Sequence, residues 1–143
     1  MCKNIHHVGP SGTGTIIKLA NQLLVAIHTL AAAEAVTLTA KAGADPQTAL
    51  EVLGTSFGSS AMLNRHGPLF LERRFDPGTP VELILKDMRL IGRLAEESEV
   101  RLLMGSLARQ LFGEASMMGL GDRDMSALIQ LLERLAGMEL GGP

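Results

Sequence analysis

From Thr15 the chain runs to Gly43 with neither glycine nor proline before that closing residue, through a stretch dominated by alanine and leucine. A run of that length without helix breakers, ended by glycine, predicts one long helix. Between Leu23 and Val36 it is apolar on nearly every face, and a helix apolar all round is ordinarily the buried centre of its domain. The remaining elements must then wrap around it. The same length would suit a membrane span. However, Lys18, Asn21, Gln22 and His28 interrupt Ile16 to Ala33, and the preceding residues lack the basic start and small-residue cleavage pattern of a signal peptide, so no membrane segment is expected.

The other elements follow from capping and breaker signals. Asn4 to Val8 is a short extended run, and Gly9 to Gly14 a flexible turn. Asp45-Pro46 is an N-cap followed by an N1 proline, opening a short helix that stops near Gly54. A helix from Ser59 or Ser60 towards Glu72 is expected to be broken or kinked by Gly67-Pro68. Arg73 to Gly78 is a loop in which Arg73-Arg74 reads as a solvated pair. Thr79-Pro80-Val81-Glu82 has capping-box spacing with a proline at N1 and starts a helix to about Glu97, with Leu83, Leu85, Leu90, Ile91 and Leu94 as its apolar stripe. Leu102 to Met118 forms another helix, ended by Gly119 and Gly121. Asp122 or Asp124 caps a last one through Leu135, leaving a loose Gly-Gly-Pro tail.

With aromatics at 3% and no Trp or Tyr, the composition also favours helices over strands. The expected fold is all-α, with about six helices around the long, largely buried N-terminal one. A chain of 143 residues fits one domain and is too short for a dinucleotide-binding domain plus a substrate domain. Hydrophobic residues at 46% exclude intrinsic disorder, and a net charge of −2 argues against a nucleic-acid footprint. The single cysteine, Cys2, implies no disulfide framework, and a cytoplasmic location is the default expectation.

Several familiar catalytic patterns are absent. The glycines at 9, 12 and 14 match neither GxxxxGK[ST] nor GxGxxG. His6, His7, His28 and His66 lack metal-ligand spacing, and Cys2 has no positioned base. His28, inside the apolar part of the helix, reads as a satisfied core or interface histidine. What remains is a narrow polar line on the long helix: at about 100° per residue, Lys18, Asn21, Gln22, Val25 and Thr29 fall within about 60° of Lys18. Lys18 then has two readings. It snorkels into solvent from the first turns, or it projects into a cleft and exchanges a proton with a carbonyl or alcohol, with Gln22 one turn on bonding the same substrate. The glycines before it would let backbone amides at the helix start approach a carboxylate.

The run His7-Val8-Gly9-Pro10-Ser11-Gly12-Thr13-Gly14, followed by Lys18-Leu19-Ala20-Asn21-Gln22, resembles the catalytic-helix signature of the β-hydroxyacid dehydrogenases, the family of 3-hydroxyisobutyrate dehydrogenase and tartronate semialdehyde reductase. Lys41 to Pro46, Phe75-Asp76-Pro77-Gly78, Leu85-Lys86-Asp87 and Asp122 to Leu128 are similar to later family segments in the same order. The likeness covers nearly the whole chain and is with the C-terminal domain alone, one similar to that of 6-phosphogluconate dehydrogenase. It implies that residues 1–143 form a single substrate-binding and dimerisation domain, lacking the N-terminal Rossmann domain that would hold most of an NAD or NADP cofactor.

On that resemblance Lys18 is the catalytic acid or base, Lys86 reaches the cofactor, and Gly12, Asn21 and Gln22 bind substrate. Asp87 either orients Lys86 or is an ordinary helix charge, and Ser59 and Ser60 match a segment lining the cleft. Gln22 stands where many members have asparagine, and Thr79 where many have phenylalanine, which leans the substrate towards a small polar hydroxy acid or sugar-acid semialdehyde. The chain alone is expected to be inactive and to bind cofactor weakly. A homodimer or higher oligomer is expected, because so apolar a helix exceeds what short neighbours can cover. The rival reading is a helical dimerisation or interaction module without chemistry.

Overall fold

A computed structural model describes residues 9–141 of the chain. Asn4 to Val8, Cys2, His6, His7 and the last two residues of the tail lie outside the described residues. Among those described there are six α-helices and no strand: α1 (Thr13–Lys41), α2 (Pro46–Thr55), α3 (Ala61–Leu71), α4 (Val81–Glu97), α5 (Leu103–Ala115) and α6 (Leu128–Ala136). A π-helical turn, Ser116–Leu120, follows α5, and a 3-10 turn, Met125–Ala127, leads into α6. The all-α expectation therefore holds.

α1 is the spine, lying against each of the other five helices. By length and mean hydropathy it could cross a membrane, yet here Ala26, Leu30, Ala33 and Val36 face the core. Its burial is one-sided, in keeping with a helix more apolar than its short neighbours can cover. Leu24, His28, Ala31 and Leu38 are exposed, because the short helices of a single chain occupy only one side of a rod this long. His28 is accordingly no core histidine; among the described residues the buried one is His66. Phe70, Ile84, Met88, Phe112, Leu128 and Ile129 close the core from α3, α4, α5 and α6.

The capping signals at α2 and α3 are realised. Asp45 Oδ2 accepts from the Thr48 amide at 2.8 Å, with Pro46 at the first helical position. Ser60 accepts from the Leu63 amide at 3.0 Å, and Ser59 donates to the Gly54 carbonyl. α3 runs unbroken through Gly67-Pro68, against expectation. Pro68 and Asn64, whose carbonyl loses its helical partner, are on the exposed face, where water can serve that carbonyl; His66, Gly67 and Phe70 hold the opposite face in the core. Gly67 also lets α2 approach, since a Cβ there would meet Leu50 Cδ2 at 2.8 Å.

Other local expectations shift by tertiary contact. Pro80 is the N-cap of α4, and Thr79 supplies no side-chain cap; the Val81 and Glu82 amides donate instead to the Arg123 and Gly121 carbonyls. The buried stripe of α4 is Val81, Ile84, Leu85, Met88 and Ile91, while Leu83 is exposed. α5 stops at Ala115 instead of Met118 because Gly119 takes a left-handed φ of 86° in the turn that follows. Arg73 is not a solvated residue. Its Nη1 lies 2.6 Å from Oε1 of the buried Glu133, and its guanidinium sits over the Phe75 ring. Glu133 Oε1 also accepts from the Leu140 amide, so one buried carboxylate fastens the C-terminal segment to the loop after α3.

Candidate functional site

Of the polar line of α1, Lys18, Asn21 and Gln22 reach the helix surface, whereas Val25 is half-buried and Thr29, at its far end, is fully buried. The start of α1 is fixed by Gly12, the N-cap, at φ 95°, a left-handed conformation that side-chain-bearing residues avoid. The Thr15 and Ile16 amides turn back onto the Gly12 carbonyl, and no side chain caps the helix. Lys18 is exposed one turn further on, and Asn21 is exposed beside it. Gln22, half-buried, reaches sideways to α4, where its Nε2 donates to Asp87 Oδ2 at 2.9 Å. Asn21 Nδ2 donates to Gln22 Oε1 at 3.4 Å.

The structure thus joins the α1 stripe to the Lys86-Asp87 pair, residues far apart in sequence. Asp87 accepts from Gln22, so it is a hydrogen-bonded link between α1 and α4. Lys86 itself is exposed. Among the described residues neither Lys18 nor Lys86 has an ion-pair partner, so both ammonium groups are available to an anionic ligand or a reacting oxygen. Ser60, by contrast, is taken up as the N-cap of α3, and Ser59 donates to the Gly54 carbonyl in the last turn of α2.

The height of Lys86 on the bundle is set by a second group of residues, which sequence reasoning missed. Asp124 is buried at the turn before α6 and accepts from Arg65 Nη1 at 3.0 Å and Nη2 at 2.7 Å, from the Thr79 amide at 2.9 Å, and from the Ser126 amide and hydroxyl at 3.0 and 2.7 Å. Burial alone would raise its carboxyl. The Arg65 guanidinium, with the Thr79 and Ser126 donors, outweighs that and holds it well below the usual carboxylate range. The Met125 amide donates to the Thr79 carbonyl at 2.7 Å, completing a clamp at the start of α4. Lys86 follows roughly one and a half turns later.

His66 lies behind this clamp. Arg65 can only donate, so Nδ1 of His66, 2.9 Å from Arg65 Nη1, is the acceptor, and Nε2 carries the proton towards Thr29 Oγ1 at 3.0 Å. Burial first, and the neighbouring Arg65 charge second, push this imidazole down to about 4 against a smaller opposing pull from Asp124. It is a neutral structural group joining α1 to α3. The only signal in the sequence was Asp124 as a candidate cap; nothing local pointed to Arg65, Thr29 or His66 as its associates. Among the described residues no three His, Cys, Asp or Glu side chains gather to hold a metal ion.

Residues 12–132 match the family model described as the NAD-binding of NADP-dependent 3-hydroxyisobutyrate dehydrogenase. The chain is 36% identical over 141 residues to 2-(hydroxymethyl)glutarate dehydrogenase of Eubacterium barkeri, an alignment covering 98% of this chain and 47% of that protein. It is 37% identical over 138 residues to 2-hydroxy-3-oxopropionate reductase of Escherichia coli K12, covering 96% of this chain and 47% of the other. A crystal structure of 3-hydroxyisobutyrate dehydrogenase from Salmonella typhimurium superposes with a TM-score of 0.87 at 30% identity, over 90% of this chain and 46% of that one. The chain spans about half the length of the relatives it matches.

Proposed function

The chain belongs to the NAD-binding family of NADP-dependent 3-hydroxyisobutyrate dehydrogenases, and from that premise we propose that it forms the helical part of an NAD(P)-dependent oxidoreductase interconverting a small β-hydroxy acid and its semialdehyde. The relatives it matches bear names of dehydrogenases and reductases acting on hydroxy acids or their oxo counterparts. The observation that carries the reading is the Gln22–Asp87 bond, which ties the helix bearing Lys18 to the helix bearing Lys86.

The donor set suits a dinucleotide. Lys86 presents an exposed ammonium from α4 to an anionic cofactor, and Lys18 stands on the stripe that continues to Gln22. The nicotinamide, when bound, supplies or accepts the hydride. Lys18 then donates a proton to the carbonyl oxygen in reduction, and in the reverse direction takes it from the hydroxyl. Gln22 and Asn21 hold the substrate, while the left-handed Gly12 leaves the backbone at the start of α1 open to a carboxylate. On this proposal most of the cofactor is gripped by a Rossmann unit outside this chain, so residues 1–143 in isolation are inactive. The same reading makes the protein a homodimer or larger oligomer.

Lys18→Ala in the full-length protein tests the role directly. The expected result is a loss of about 10²- to 10⁴-fold in kcat with an unchanged melting profile. Turnover close to that of the unsubstituted protein would instead support an interaction module in which Lys18 is merely solvated.

A further inference from the structure

Phe70, Phe75 and Phe112 are buried, whereas Phe57, in the loop between α2 and α3, is fully exposed. The backbone around it is firmly held. The Ser56 hydroxyl donates to the Val52 carbonyl at 2.7 Å, and the Ser59 amide donates to the Ser56 carbonyl at 2.9 Å. The Ser59 hydroxyl donates to the Gly54 carbonyl at 2.7 Å and accepts from Asn64 Nδ2 at 3.2 Å, before Ser60 caps α3. An aromatic ring presented in the open by a pinned loop offers a large apolar contact at a small cost in ordering.

The contacts of α3 set where this loop points. His66 on α3 meets Thr29 on α1 at 3.0 Å, and Met125, just before α6, reaches the same threonine. Further along, Leu132 and Leu135 of α6 line a groove with Glu34 and Leu38 of α1, and Glu133 between them pairs with Arg73, just past the end of α3. Hence α3 and α6 both run in the direction of α1, and the loop before α3 lies towards the end of α1 that bears Lys18. From His66 back to Ser60 is about 9 Å of helix, equivalent on α1 to the rise from Thr29 back to Leu23. Thr29 and Lys18 share one line of α1, and cover along it thins in that direction: Thr29 is fully buried, Val25 and Gln22 are half-buried, and Lys18 is open. Phe57, ahead of Ser60, therefore stands at the level of the stretch between Gln22 and Lys18.

Resting on the reaction proposed above, we infer that Phe57 is a cofactor-contacting residue whose ring packs against the nicotinamide. Hydride passes between the nicotinamide and the carbon whose oxygen exchanges a proton with Lys18, so the two reacting groups must meet within contact distance beside that lysine. A small hydroxy acid presents carboxylate and hydroxyl groups there, which a phenyl ring serves poorly. The nicotinamide presents a flat aromatic face, which it serves well. Charge for the cofactor then comes from Lys86 on α4, and the apolar contact comes from the loop between α2 and α3.

Fluorescence titration of NADPH and of NADH with the full-length protein reads this contact without turnover. For whichever nucleotide binds more tightly, Phe57→Ala should raise Kd about tenfold, while Phe57→Trp, which keeps an aromatic face, should stay within about threefold of the unsubstituted protein. ADP-ribose, which lacks the nicotinamide, should bind Phe57→Ala and the unsubstituted protein equally by calorimetry. An unchanged nucleotide Kd in Phe57→Ala would overturn the inference while leaving the reaction standing; a lower light-scattering mass in the same variant would then assign the ring to a contact between proteins. Equal weakening of nucleotide and ADP-ribose would overturn it too. Failure of both nucleotides to bind the unsubstituted protein would overturn the reaction itself, and the inference with it.

Discussion

His66 shows how one side chain ties stability to pH. Its folded-state value of about 4 lies below the ordinary 6.5, so the unfolded chain takes up the proton first as the pH falls. Stability from the neutral imidazole is complete above 6.5 and is lost progressively as the pH drops from 6.5 towards 4. The full loss is about 3 kcal/mol. Asp124, with its depressed value, contributes in the same sense, but its share is lost only below about 4, the ordinary range of a carboxyl. Urea midpoints between pH 7 and 4.5 should fall in the natural protein, and the fall should be much shallower in His66→Gln, whatever that variant's absolute stability. Parallel slopes would assign the pH dependence to other groups.

At the level of the element, α1 and α6 leave apolar side chains in the open. Leu38 is 70% exposed on α1 and Leu135 68% exposed on α6, both lining a shallow groove of about 700 Å³ with Glu34, Thr37 and Lys41. The proposed homodimer would cover such a face, and Glu34 and Lys41 flank Leu38 so that two antiparallel copies of α1 could pair opposite charges about it. Leu38→Asp is expected to shift the light-scattering mass at tens of micromolar from dimer to monomer without altering the helical circular dichroism. A natural protein that is strictly monomeric under those conditions would count against the dimer. The same element shows that a helix apolar in sequence on all sides need not be covered on all sides by its own chain.

Across the whole molecule, Asp124 carries the contact on which the layout depends. It holds α3 through Arg65, the start of α4 through Thr79, and the turn into α6 through Ser126. Asp124→Ala should destabilise the fold by about 2 to 3 kcal/mol, since it removes the partner of the buried end of a half-exposed Arg65 and leaves the Thr79 and Ser126 amides without their acceptor. Denaturant melts would read this, and a cost under about 1 kcal/mol would show the cluster to be incidental.

The sequence by itself determined the helix count, the spine, the caps at Asp45 and Ser60, and, through ordered motifs, the stripe of Lys18, Asn21 and Gln22 and the separate Lys86-Asp87 pair. Those are local: spacing, capping chemistry and breaker residues act within a few positions along the chain, so they can be read along it. Only the tertiary structure decided that Asp87 bonds Gln22, that α3 tolerates Gly67-Pro68, that Arg73 serves a buried Glu133, and that Arg65, His66, Thr29 and Asp124 form one cluster. Each of these depends on which faces meet after packing, and a buried charge or amide is satisfied by whatever donor the fold brings within about 3 Å, however distant it is in sequence.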